Sequence, residues 1–165
     1  MPPRIRRAER SDVPLVLGLI RELAGYERLA NHVVATEELL DRHLFGDRPA
    51  AEALIAEVDG EAVAFALFFA TFSTFVGRPG IWLEDVYVRP EHRRAGLGRA
   101  LVEHLARIAV ERDCGRIEWA ALDWNAPALD FYAGLGAEPV EGWTIHRLDA
   151  EGIRRLAPGT TPSAQ

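Results

Sequence analysis

The feature that most restricts how this chain can fold is a pair of apolar runs, residues 53–58 and 61–72, joined by Asp59-Gly60. An Asp-Gly pair readily takes positive φ at both positions, which is what a two-residue hairpin turn needs. The second run is apolar on both parities, so each face of that strand must be covered by other parts of the chain. Helices on both faces of a sheet that contains a hairpin define an α/β or α+β class with a mixed sheet.

The helices can be found by their punctuation. Ser11-Asp12-Val13-Pro14 sets a capping residue and an early proline ahead of Leu15, Val16, Leu19, Ile20 and Leu23. This predicts a first helix that runs to about Ala24 and is closed by Gly25. Thr36-Glu37-Glu38 opens a second, with a cap and two acids at its positive end. Leu97, Leu101, Leu105 and Ile108 mark a third to about Arg112, and residues 127–135 form a short fourth closed by Gly136. Further strands are expected at Ile5 and over residues 81–88, 117–122 and 143–148. Residues 158–165 read as a disordered tail, which leaves one domain over residues 1–157.

Composition narrows the chemistry. Among 165 residues there are 19 Arg, no Lys and 25 Asp plus Glu, a formal charge of −6. Without Lys the chain can run neither Schiff-base nor pyridoxal-phosphate chemistry, nor build a Gly-Lys-Ser/Thr phosphate loop. The acidic balance argues against nucleic acid and anionic membranes as partners. The longest apolar run, residues 62–72, is too short to span a bilayer, and Met-Pro-Pro-Arg-Ile-Arg-Arg has no apolar segment behind it, so a cytoplasmic protein is expected. Cys114 alone forbids an internal disulfide and reads as a packing residue, and the His spacings do not suit a metal.

Any anion site must therefore be built from Arg and backbone N–H groups. Arg93-Arg94-Ala95-Gly96-Leu97-Gly98, between a strand and a helix, is such an arrangement, because a helix N-terminus points free N–H groups outward. Each exposed charge–dipole contact is worth only ~0.3–1 kcal/mol, so several N–H groups and an Arg must act together to hold a pyrophosphate. A glycine turn that simply packs helix on strand is the alternative. A dinucleotide fold fits poorly, since Leu101 stands where a third small residue belongs and the hairpin breaks the doubly wound order.

Arg93-x-x-Gly96-x-Gly98 is similar to the acyl-CoA pyrophosphate signature of the GNAT superfamily of N-acetyltransferases. Leu83-Glu84-Asp85-Val86-Tyr87-Val88-x-Pro90, Trp124-Asn125-x-Pro127 and Phe131-Tyr132-x-x-Leu135-Gly136-Ala137 resemble the corresponding blocks of its spermidine/spermine (diamine/thialysine) N-acetyltransferase-like family. Weaker matches at residues 22–27, 36–37 and 141–143 extend the collinear resemblance over residues 4–157.

The resemblance implies a GNAT fold with splayed strands and acetyl-CoA as cosubstrate. It implies that Arg93, Arg94, Ala95, Gly96, Leu97, Gly98 and Arg99 cradle the pyrophosphate, and that backbone groups near Val86 and Val88 bind the pantetheine. Asn125 and Tyr132 would contact the same arm. The acceptor would be a small-molecule primary amine, lined by Tyr26, Glu27, Glu84, Asp85 and Trp143, with Glu141 a further acid, and the enzyme would be a homodimer. A CoA-binding regulatory or interaction module without catalysis is the competing reading.

The residues give these roles a chemical reason. A primary amine of pKa ~10.4 pays about 4.6 kcal/mol to be neutral at pH 7, so something must take its proton. Glu84 and Asp85 interrupt an apolar strand, where a carboxylate must be paired, hydrated or shifted in pKa; a strand-edge pair or a bulge facing solvent would also account for them. The resemblance makes Glu84 the base and Asp85 a holder of the cation. Phe131 and Tyr132 point about 100° apart on a helix, so Phe131 packs. Tyr132 is either a structural tyrosine or, as the resemblance implies, the acid that protonates the departing thiolate. Asn125 suits an N-cap before Pro127, and Trp82 and Trp119 read as core. Arg94 stands where relatives often have Gly, and residues 71–75 lack the acid that polyamine-using relatives carry there, so a shorter amine of the thialysine type fits as well.

Overall fold

A computed structural model describes residues 3–163, which fall into two compact units, one up to Ala121 and one from Leu122. The first unit is built on a five-stranded sheet in sequence order: β1 (Arg4–Arg7), β2 (Glu52–Val58), β3 (Glu61–Ser73), β4 (Arg78–Val88) and β5 (Ile117–Glu118). All neighbours are antiparallel except β4 and β5. The hairpin falls where the sequence puts it: Val58 faces Glu61, and Asp59 and Gly60 have φ of 51° and 83°.

Both faces of the sheet are covered, as the double-parity run of β3 requires. On one, Leu54, Phe68, Ile81 and Leu83 pack with Leu101, Leu105 and Ile108 of α3 (Leu97–Glu111). On the other, Ile55, Phe65, Leu67 and Tyr87 pack with Val16, Leu19 and Leu23 of α1 (Val13–Tyr26) and Leu44 of α2 (Glu37–Phe45). Phe65 and Phe68 point to opposite faces and are fully buried, each contributing about 1.5–3 kcal/mol of transfer free energy. Trp119 and Cys114 are half-buried against the α3 face, in line with packing roles.

Register is broken once in β4. Asp85 faces Leu67 while Leu83 faces Phe68, so Glu84 is an extra residue with no counterpart on β3. Such a bulge reverses the alternation of everything after it. Ile81 and Leu83 lie on the α3 face, but beyond Glu84 it is Val86 and Val88 that pack there, while Tyr87 turns to the α1 face. Asp85 shares the parity of Tyr87.

Three expectations need correction, and one helix is new. The strand predicted over residues 117–122 is only Ile117–Glu118, because its parallel pairing with β4 ends at Ile81 and Trp82, before the bulge at Glu84. The strand predicted over residues 143–148 is absent: this segment lies in the second unit, exposed and without regular structure. Alternating apolar residues make a strand only where another strand pairs with them, and among the described residues none does. Gly25 does not close α1, which runs on to Tyr26 and ends where Arg28 takes a φ of 62° and Leu29 N–H reaches back to Ala24 O at 2.8 Å. A fifth helix, α5 (Ala150–Leu156), was not anticipated. The Asp149 carboxylate caps it by accepting from Gly152 N–H at 2.7 Å, and Glu151 pairs with Arg155 one turn on.

The second unit also holds α4 (Ala126–Gly134), capped as expected by Asn125, whose side chain accepts from Ala128 N–H. Of the expected tail, residues 158–163 form no helix or strand, and 164 and 165 lie outside the described residues.

Candidate active site

The bulge at Glu84 and the end of β5 open one edge of the sheet. Pairing with β5 stops at Trp82, whereas β4 continues along β3 to Val88. Arg89 N–H bonds to Val63 O at 3.0 Å, so residue 89 points its main chain toward β3. By alternation Tyr87 does the same, and the N–H and C=O groups of Val86 and Val88 face the open side. Among the described residues no strand pairs with this edge, and backbone amides left open in this way suit a ligand that carries amides of its own.

β4 leads through one turn of 3-10 helix, Pro90–His92, into the glycine turn. Arg94 has a φ of 67° and Gly96, the N-cap of α3, a φ of 79°. A side-chain carbon at Gly96 would meet nothing within 4 Å, so this glycine is needed for its left-handed backbone and not for space. Leu97 is buried in the core and anchors the helix, while Arg93, Arg94, Ala95 and Arg99 are exposed; Gly98 is half-buried in the first turn. The first N–H groups of α3 have no partner within the helix, so turn and cation-bearing rim fit a pyrophosphate. Arg99 lies 3.5 Å from Glu103. The Arg93 guanidinium lies over the rings of Tyr26, at 4.6 Å, and Tyr87, at 5.7 Å. Its Nε donates to Val88 O at 3.0 Å. Arg93 thus ties the turn to the end of α1 and occupies one carbonyl of the open edge.

On the α1 side of β4 an acidic group assembles. The reversed parity after Glu84 turns Asp85 toward the end of α1, where Glu27 is the C-cap. Loss of hydration, together with the charges of Glu84 and Glu27, pushes the Asp85 carboxyl up to about 6. Burial also raises Glu27 above its ordinary value. Among the described residues no arginine forms an ion pair with Glu27, Glu84 or Asp85. The carboxylates therefore combine with the negative end of the α1 dipole to favour a cation, and the Tyr26 ring beside them already carries the Arg93 guanidinium.

Two further contacts escaped the sequence reading. The Trp82 indole, expected in the core, is half-buried and its Nε1–H donates to Glu84 Oε2 at 2.8 Å. The two residues are i and i+2 on one strand, a spacing that could have suggested the pair. Glu22 accepts from Arg89 Nε and Nη2 at 3.2 and 3.0 Å, and its charge acts on the buried Tyr87. Burial and the Glu22 charge raise the Tyr87 phenol above its ordinary pKa.

Asn125, Tyr132 and Trp143 belong to the second unit. Asn125 is buried at the start of α4. Tyr132 and Phe131 are both half-buried, their rings 5.3 Å apart and tilted by 53°, so Phe131 does not do the packing alone. Trp143 and Glu141 are exposed.

Residues 20–137 match the Acetyltransferase (GNAT) family. The chain belongs to that family. It is 40% identical over 164 residues to thialysine N-epsilon-acetyltransferase of Bos taurus, covering 93% of this chain and 96% of that one. It is 29% identical to L-ornithine N5-acetyltransferase of Arabidopsis thaliana, over 93% and 87% of the two chains. Among solved structures, an integron cassette protein of V. cholerae superposes with a TM-score of 0.79 at 25% identity, over 96% and 99% of the chains. The sheet and helices are those of a GNAT acetyltransferase, and the chain is an acetyltransferase enzyme. Among the described residues no helix is long and apolar enough to cross a membrane.

Proposed function

We propose that this acetyltransferase moves an acetyl group from acetyl-CoA to a primary amine of a small molecule, a diamine, a polyamine or a thialysine-like amino acid. The observation that carries the reading is the acidic group of Glu27, Glu84 and Asp85, which has no arginine partner among the described residues and is set where β4 bulges beside an open backbone edge. Relatives that act on thialysine and ornithine support a short amine over a long polycation.

Acetyl-CoA supplies an activated acetyl thioester. The turn from Arg93 to Arg99 holds its pyrophosphate and the main chain of Val86 and Val88 its pantetheine arm. The same groups polarise the thioester carbonyl, which acts where negative charge develops. Asp85, Glu27 and Tyr26 bind the ammonium, with Trp143 a further aromatic contact. Glu84, directly or through one water, takes a proton from the ammonium and frees the nitrogen lone pair. The nitrogen forms its bond to the acetyl carbon as the carbon–sulfur bond breaks. Tyr132 gives its phenolic proton to the sulfur and is restored by the proton that the new amide nitrogen sheds. Asn125 contacts the cofactor arm while it caps α4. Attack is direct, in a ternary complex, and the enzyme works as a cytoplasmic homodimer.

The test is acetyl-CoA turnover across diamines, polyamines, ornithine and thialysine. We expect turnover with at least one short amine, lost when Glu84→Gln and Tyr132→Phe are combined. Normal turnover in the double variant would overturn the assigned roles, and no turnover with any amine would overturn the acceptor class.

A further inference from the structure

We infer that Trp82 is a positioning residue that aims the carboxylate of Glu84 at the amine. The inference rests on the reading of Glu84 as the proton acceptor and adds how that group is held. Glu84 is the extra residue of the bulge, so no residue of β3 stands opposite it to fix its direction. Its side chain is exposed, and a free glutamate there would sample many rotamers. Trp82 itself is well fixed, lying opposite Phe69 on β3 and Glu118 on β5, the last pair before the two strands part. From this anchored position the indole N–H donates to Glu84 Oε2 at 2.8 Å.

The chemistry of the donor matters. An indole N–H can only donate, so Oε2 is held as an acceptor and an incoming proton goes to the other oxygen, Oε1. The donor is also neutral. An arginine in its place would orient the carboxylate equally well but would cancel the charge that draws the ammonium. Trp82 thus supplies direction without neutralisation, at the residue where the sheet stops being paired on both sides.

The experiment is a double-mutant cycle between Trp82→Phe and Glu84→Gln, read as kcat and the two KM values with an accepted amine. It is run at pH 9, where more of the amine is already neutral and the Glu84→Gln variant keeps measurable activity. Trp82→Phe should lower kcat about 10–100-fold, the cost of a misaimed group, with the KM for acetyl-CoA unchanged. In the Glu84→Gln background the same change should have no further effect. Equal losses in both backgrounds, or no loss in either, would overturn the positioning role. An unimpaired Glu84→Gln variant would instead overturn the base assignment and this inference with it. If Trp82→Phe does not fold, the indole 15N–H resonance of Trp82 in the otherwise intact enzyme gives a second reading: it should move in Glu84→Gln, and a resonance that stays put would refute the contact.

Discussion

Two groups of carboxylates in the first unit differ in their partners, and the contrast is informative. Near the β1–β2 edge Glu57, Asp12 and Glu52 each have an arginine. Arg6 donates to Glu57 at 2.6 Å and to both oxygens of Asp12 at 2.6 and 2.9 Å, and Arg112 forks onto Glu52 at 2.6 and 2.8 Å. These partners lower Asp12 and Glu52 below their ordinary values. At the β4 bulge, Glu27, Glu84 and Asp85 have no such partner among the described residues, and Asp85 is pushed up to about 6. A chain with 19 Arg and no Lys has guanidinium groups to spare. On the proposed function, withholding them would give up stability to keep negative charge available for the ammonium.

The largest effect should come from removing that sacrifice. Above pH 6 the native state holds Asp85 ionised in a site that disfavours its charge, while the unfolded chain ionises it freely near 3.8. A carboxyl raised on folding makes the native state bind its proton more tightly, so its cost is full above about pH 6 and fades as pH falls toward 3.8. At ~1.36 kcal/mol per tenfold change in proton affinity, Asp85→Asn should stabilise the protein at pH 7 by up to about 3 kcal/mol. Amine affinity should fall in the same variant. In the wild type, the KM for the amine should rise as pH drops through about 6, because the neutral carboxyl no longer attracts the ammonium. Thermal unfolding and amine KM at pH 5 and pH 7 check both parts, and an unchanged or lower melting temperature at pH 7 would break the contrast.

The paired edge should respond in the opposite sense. Arg6→Met leaves Asp12 and Glu57 with no guanidinium between them, and the loss of charge-assisted hydrogen bonds at a partly buried site should cost about 2 kcal/mol at pH 7. Asp12 is lowered on folding, so its stabilisation is complete above its unfolded value near 3.8 and disappears as pH falls through the lower, folded one. Variant and wild type should therefore converge in acid, as measured by urea denaturation from pH 7 down to pH 2.5. A difference that persists undiminished would mean that Arg6 acts by packing and not by charge.

Much of this contrast could not be seen in the chain alone. The hairpin at Asp59-Gly60, the caps Thr36 and Asn125 and the apolar face of α3 are local signals, and each leads to the element it predicts. The glycine turn and the Glu84-Asp85 pair stand out by residue type. The bulge does not, since a Glu between Leu83 and Asp85 carries no conformational mark and only the register with β3 reveals it. Without the bulge, strict alternation would put Asp85 on the α3 face with Leu83, away from Glu27, and Trp82 would look like core. The strand expected over residues 143–148 failed for a related reason, because pairing is a property of two segments and the periodicity of one is silent about the other.

The smallest predicted effect concerns the other candidate region, the turn ahead of α3, where the backbone carries a cost much as Asp85 does in charge. Arg94 takes a φ of 67°, a conformation that costs a residue with a Cβ about 1 kcal/mol and a glycine almost nothing. Arg94→Gly relieves that cost in the native state but also frees the unfolded chain, which offsets part of the gain. The net change in stability should be small, within about 0.5 kcal/mol of zero. The binding of CoA should separate the two possible reasons for keeping an arginine here. If its charge reaches the pyrophosphate, Arg94→Gly weakens CoA several-fold at low salt and the difference shrinks as added salt screens the contact. If only the shape of the turn matters, CoA affinity stays the same or improves, because glycine holds the left-handed conformation at less cost. Calorimetric titration of both proteins with CoA at two salt concentrations distinguishes these outcomes. A strained residue that holds no phosphate would have no counterpart to the acids at the bulge, and the parallel between the two regions would then end at Gly96.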